Sequence, residues 1–177
     1  MIEKIIISGF GGQGIMVLGQ LLAYAGMIEG KAVSWIPSYG AEMRGGTANC
    51  SVVISDKDIP SPVVSEANTI FAFNSPSLEK FESRIIKGGL LFINSSLVKI
   101  MPTRKDIKVI KVPANDIANE LGNMKVTNMV MLGAYIKAAK AVSVNSIIQA
   151  LKKVLPPRRH NLIPLDEEAL KKGAVFA

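Results

Sequence analysis

Lys4-Ile5-Ile6-Ile7-Ser8-Gly9-Phe10-Gly11-Gly12-Gln13-Gly14-Ile15 is the stretch that decides the fold. It opens on a β-branched run with no polar alternation, the pattern of a strand buried on both faces. Three glycines at Gly9, Gly11 and Gly14 then predict a tight turn that lets backbone approach a ligand. Beyond the turn, Ile15, Leu18, Leu22 and Ala25 fall at helical spacing and line one face. A strand, a glycine turn and a helix in that order form a Rossmann-like start, and the helix N-terminus offers free N–H groups and partial positive charge to a phosphate.

Working outward, the chain keeps alternating. Strands are expected at Ala32–Pro37, Ala48–Ser55, Thr69–Phe73, Leu90–Asn94 and Lys108–Val112. Ser75-Pro76 predicts a helix start, with Ser75 as cap, and the helix is expected to reach about Ile86. Further helices are expected at Ala114–Leu121, Val126–Ala141 and Ser143–Leu155, the last capped by Ser143. Gly19 and Gly26 weaken the first helix, so their use is expected in close backbone packing. The fold class is therefore α/β, a mostly parallel sheet with helices on both faces in a single domain. That domain spans residues 1–155. Pro156-Pro157 then opens a C-terminal tail, 156–177, with one short helix near Leu165 to Lys172 that docks on this domain or on a partner.

Composition narrows the chemistry. The chain has 177 residues with one cysteine, Cys50, and one histidine, His160. One cysteine makes no internal disulfide, and an iron–sulfur cluster takes about four thiolates. Neither a metal site nor a catalytic residue is assigned to this chain. Cys50, among apolar neighbours on a strand, reads as an inert buried thiol. The net charge of +7 suits phosphorylated ligands or acidic partners. The basic residues are spread and lack an aromatic ladder, so nucleic acid is not expected. No apolar run approaches the ~18 residues of a membrane span, and the N-terminal residues lack signal-peptide architecture. A cytoplasmic location is the expectation.

The glycine loop admits three readings: phosphate binding, a dinucleotide site, or close packing alone. A dinucleotide site calls for an acidic residue at the end of the second strand. That strand ends Trp35-Ile36-Pro37-Ser38, which weakens the NAD reading. The loop that follows, Ser38 to Thr47, leaves the strand end expected beside the glycine turn. Tyr39 offers a ring and a hydroxyl there, and Arg44 a planar fork for carboxylate or phosphate. Glu42 has no histidine to pair with, and ion pairs of Glu42 and Arg44 within the loop or across a subunit contact explain both at least as well. The basic turn Arg158-Arg159-His160 is either solvated or in contact with an anionic group.

Two motifs, Gly9-Phe10-Gly11-Gly12-Gln13-Gly14 and Pro37-Ser38-Tyr39-Gly40-Ala41-Glu42-Met43-Arg44-Gly45-Gly46-Thr47, together resemble the gamma subunit of the 2-oxoacid:ferredoxin oxidoreductases. Phe10 and Met43-Arg44-Gly45-Gly46-Thr47 look most like the 2-oxoglutarate type, with pyruvate, branched-chain and indolepyruvate types as alternatives. The resemblance implies a subunit without redox chemistry of its own. It implies alpha and beta partners, with delta in some members, and indirect service to ferredoxin or another acceptor. Thiamine diphosphate, Mg and iron–sulfur clusters then belong to the partners, and coenzyme A is the co-substrate. It further implies cofactor-binding roles for Gly9, Phe10, Gly11, Gly12, Gln13 and Gly14 near the phosphates of coenzyme A, with Tyr39 and Arg44 as further candidates. Two rival functions stand beside it: a self-sufficient NAD- or flavin-dependent enzyme, and a free-standing nucleotide-binding module.

Overall fold

The computed structural model of the chain describes residues 1–38 and 47–177. Six strands form one sheet: β1 (Ile2–Phe10), β2 (Ala32–Ser38), β3 (Thr47–Ser55), β4 (Ala67–Ala72), β5 (Ile85–Asn94) and β6 (Lys108–Val112). Their order is β2-β3-β1-β4-β5-β6. β1, β4, β5 and β6 run parallel, while β3 is antiparallel to both β1 and β2. The sheet is mostly parallel, as the alternation of strands and helices predicts.

The insertion of β3 between the first two strands is not visible in that alternation. The residue pattern of β3 is compatible with that position. Cys50, Val52 and Ile54 are buried against the helices, while Asn49 and Ser51 are only half-buried. An antiparallel strand tolerates a partly wet face, and here only the Asn49–Ser51 end of that face is wet, since Val53 and Ser55 further along it are buried. The pairing of Phe10 with Thr47 and of Ser38 with Asn49 brings both ends of the 39–46 connection to the carboxyl edge of β1.

Helices α1 (Ile15–Ile28), α3 (Ala114–Glu120), α4 (Thr127–Ala139), α5 (Val144–Val154) and α6 (Ile163–Ala174) cover one face. Here Ile5, Ile7, Leu18, Leu22, Phe71 and Phe92 form the main core with Val130, Tyr135 and Leu170. The other face carries α2 (Ser75–Phe81), whose Leu78 and Phe81 pack on Ile6, Ile70, Leu91 and Ile93. The predicted stripe of α1 is buried as expected. A Cβ on Gly19 would stand 2.6 Å from Cys50 Sγ, and one on Gly26 would stand 2.6 Å from Val33 Cγ1. Both glycines let α1 lie directly on β2 and β3.

Several boundaries differ from the sequence expectation. The cap of α2 is Asn74, whose side chain accepts from the Ser77 N–H at 2.9 Å, so Ser75 is the first helical residue rather than the cap. The helix also stops at Phe81, and β5 begins at Ile85, five residues before the expected Leu90. Pairing of Ile85 with the start of β4 overrides local helix propensity, across a register slip between Ala67 and Thr69. Ser143 caps α5 through the Ser146 N–H at 3.1 Å, as expected. Every residue of α4 from Thr127 to Ile136 is buried, because the sheet lies on one side and α6 on the other. The C-terminal helix thus docks on this chain and is longer than the expected Leu165–Lys172.

Candidate functional site

The carboxyl end of β1 delivers the chain into the glycine turn. Gly12 and Gly14 adopt φ of +89° and +76°, backbone that side chains other than glycine rarely accept. Gly14 is the residue that starts α1, and no side chain caps it. The N–H groups of the first helical turn are therefore left without a side-chain acceptor. Gln13 folds back so that its Oε1 accepts from the Phe10 N–H at 2.6 Å, bracing the turn. Across from it, at the start of α4, Asn128 Nδ2 donates to the Gly14 carbonyl at 3.2 Å.

A cavity of about 370 Å³ opens at this helix end. Phe10, Gly11, Gly12 and Gly14 form one wall. Ile15, Met129, Leu151, Leu155 and Leu162 supply apolar surface, and the polar groups are Asn123, Lys125, Asn128, Arg159 and Asp166. Its size lies at the lower end of the range for small-molecule sites.

Comparison with known proteins bears on this arrangement. Residues 4–175 match the family described as pyruvate ferredoxin/flavodoxin oxidoreductase. The chain belongs to this family. It is 34% identical over 175 residues to the ketoisovalerate oxidoreductase subunit VorA of Methanothermobacter thermautotrophicus, covering 98% of this chain and 36% of that one. The oxidoreductase-family chain thus spans about a third of that relative's length. It is 33% identical over 162 residues to the 2-oxoglutarate synthase subunit KorC of the same organism, covering 88% and 86% of the two chains. The crystal structure of a keto/oxoacid ferredoxin oxidoreductase gamma subunit from Geobacter sulfurreducens superposes with a TM-score of 0.85 at 27% identity, over 99% of this chain and 98% of that one.

Within this pyruvate ferredoxin/flavodoxin oxidoreductase domain the six loop residues divide. Phe10, Gly11, Gly12 and Gly14 face the cavity. Gly9 does not line it; a Cβ there would meet Gln13 Oε1 at 2.6 Å and Phe73 Cβ at 2.8 Å, so the turn packs closely at this position. Gln13 is the brace. Tyr39 and Arg44 lie outside the described residues. Of the basic turn, Arg159 lines the cavity, while His160 Nε2 is paired with the Leu155 carbonyl at 2.9 Å.

Sequence reasoning missed Lys125, Asn128 and Asp166. The one available sign was the pair Thr127-Asn128 opening an otherwise apolar helix. Asp166 and Leu162 reach the site only because α6 folds back along α4.

Electrostatically, the domain sets two cations and a helix N-terminus against one carboxyl. Burial pushes the Asp166 carboxyl up to about 6, opposed by the charge of Arg159. Among the described residues the polar lining consists of amides, two cations and one carboxyl, groups that can bind an anion or a hydrogen-bond donor. Burial also pushes the Cys50 thiol up to about 12, which leaves the thiol inert. Among the described residues no group of three metal-ligating side chains occurs, and no helix is long and apolar enough to cross a membrane.

Proposed function

We propose that this chain is the gamma-type subunit of a 2-oxoacid:ferredoxin oxidoreductase, and that its glycine turn holds phosphates of coenzyme A. The observation that carries the subunit reading is the end-to-end match with a free-standing gamma subunit, 99% of one chain on 98% of the other. The complex would oxidatively decarboxylate a 2-oxoacid with coenzyme A, releasing an acyl-CoA and carbon dioxide and reducing ferredoxin or another acceptor. Alpha and beta subunits, with delta where one exists, would carry thiamine diphosphate, Mg and the iron–sulfur clusters in the cytoplasm. This chain's own residues bind and orient. The uncapped start of α1 donates N–H groups to an anion, and Lys125 and Arg159 add charge from two sides.

Similarity to the KorC subunit along most of both chains supports 2-oxoglutarate as the oxoacid. A branched-chain 2-oxoacid is the second reading, favoured by the match with VorA over nearly the whole of this chain. A tagged copy of this chain, expressed in its native cells and purified with whatever it binds, tests the proposal. The eluate is assayed for coenzyme A-dependent oxidation of 2-oxoglutarate, 2-ketoisovalerate and pyruvate. Large partner chains with activity on one of these support the subunit reading and name the oxoacid. A chain that elutes alone and inactive overturns it.

A further inference from the structure

Among the described residues, five buried side-chain polar atoms lack a hydrogen-bond partner: Trp35 Nε1, Asn74 Nδ2, Asn94 Oδ1, Asn128 Oδ1 and Tyr135 OH. Of these residues only Asn128 lines the cavity. It is 5% exposed. Its orientation is set by the bond from Nδ2 to the Gly14 carbonyl, since a flipped amide would point one acceptor at another. The unpaired atom is therefore the oxygen. A buried acceptor without a donor is costly, and a ligand that brings an N–H or O–H to it removes that cost.

The cavity thus has two chemically different demands. The start of α1, Lys125 and Arg159 call for an anion. Asn128 Oδ1 and the Asp166 carboxyl call for a donor. A bare phosphate answers only the first and is repelled by Asp166. A ligand with phosphate at one end and an amino-bearing ring at the other answers both, and the apolar walls suit the faces of a flat ring. We propose that Asn128 is a specificity-determining residue, whose Oδ1 accepts from the exocyclic amino group of an adenine nucleotide with its phosphates on the start of α1. The inference rests on the coenzyme A reading above, because coenzyme A is an adenine nucleotide, and it adds which atom of the chain reads the base.

The test is calorimetric titration of the full-length chain with ADP and with IDP. The two carry the same phosphates, but at the six position of the purine IDP replaces the amino donor with a carbonyl acceptor. The wild-type chain is expected to bind ADP at least tenfold more tightly, because a site built around a donor rejects the analogue that lacks it. Asn128→Leu, which also loses the bond to the Gly14 carbonyl, is expected to bind ADP and IDP equally, and its thermal midpoint shows that the variant is folded. Equal binding of ADP and IDP by the wild-type chain overturns the role of Asn128 and leaves the phosphate reading standing. Binding of neither overturns both. Should Asn128→Leu fail to fold, the wild-type ratio still decides.

Discussion

Gly133 on α4 and Gly173 on α6 mark a reciprocal crossing of two helices. A Cβ on Gly133 would overlap the Leu170 carbonyl, and one on Gly173 would overlap the Val130 carbonyl. Each glycine thus accepts the other helix's backbone, and no flexible side chain is available to give way. Alanine would gain about 1 kcal/mol of helix propensity at either position. Overpacking of this kind costs about 1–3 kcal/mol and more where backbone must move. Gly173→Ala is therefore expected to lower stability by about 2 kcal/mol net. Because α6 anchors the preceding Arg159 and Leu162 in the cavity wall, nucleotide affinity should fall with it. Denaturant midpoints and titration of one sample check both, and an unchanged midpoint would refute the crossing as a point of close packing.

A second tie joins the end of α1 to the start of α5. Glu29 accepts from the Ser143 N–H at 2.6 Å and from Lys31 Nζ at 2.8 Å, and Lys31 also reaches the Ala141 carbonyl at 2.6 Å. Burial pushes the Glu29 carboxyl up, but the hydrogen bonds from Lys31 and Ser143 outweigh it and hold the carboxyl at about 2. The folded value lies below the ordinary 4.5, so the contribution is complete above about 4.5 and is lost as pH falls toward 2. Solvent screening at this partly exposed pair reduces it to about 1 kcal/mol. Glu29→Gln is expected to be less stable than wild type by that amount at pH 7, with the gap closing near pH 2–3. A gap that stays constant with pH would show that charge is not its source.

How much of this was legible in the sequence follows from how local each cause is. The strand–turn–helix start rests on Ile5 to Ile7 and the following glycines, neighbours in sequence, and the structure keeps it. The antiparallel β3 depends on which strand Asn49 and Ser51 lie beside, which no local pattern states. The early start of β5 depends on Ile85 finding Ala67. The cavity is the extreme case. Its glycine wall is visible from composition, but Lys125 and Asn128 come from the start of α4 and Asp166 from α6, brought together by the glycine crossing.

Gly12 separates binding from folding. Nothing lies within 4 Å of a Cβ placed there, but φ is +89°. Gly12→Asp is therefore expected to cost about 1 kcal/mol of backbone strain. It also sets a carboxylate at the helix start where an anion would rest. Coenzyme A affinity should fall at least tenfold while the thermal midpoint moves only a few degrees. Lys125→Ala should weaken binding less, and that loss should shrink at high salt. Unchanged affinity in Gly12→Asp would remove the glycine turn from the binding site.

Asp166 sits in the first turn of α6, where the helix favours negative charge, yet burial wins and raises its carboxyl to about 6 from an ordinary 3.8. The folded state therefore prefers the protonated form. That preference is complete below about 3.8 and is lost as pH rises through 6, so at neutral pH the ionised carboxylate costs stability. A shift of this size corresponds to about 3 kcal/mol, which exposure to the cavity reduces to about 1–2 kcal/mol. Asp166→Asn removes the charge and keeps the shape. It is expected to be more stable than wild type by that amount at pH 8, and the advantage should vanish by pH 4. The same change removes the one carboxylate facing the anion, so inorganic pyrophosphate should bind the variant several-fold more tightly at pH 8. Stabilisation without tighter pyrophosphate binding would mean that Asp166 faces the fold and not the ligand. Loss of stability at pH 8 would show that its carboxylate is paired and that Arg159, not burial, governs it.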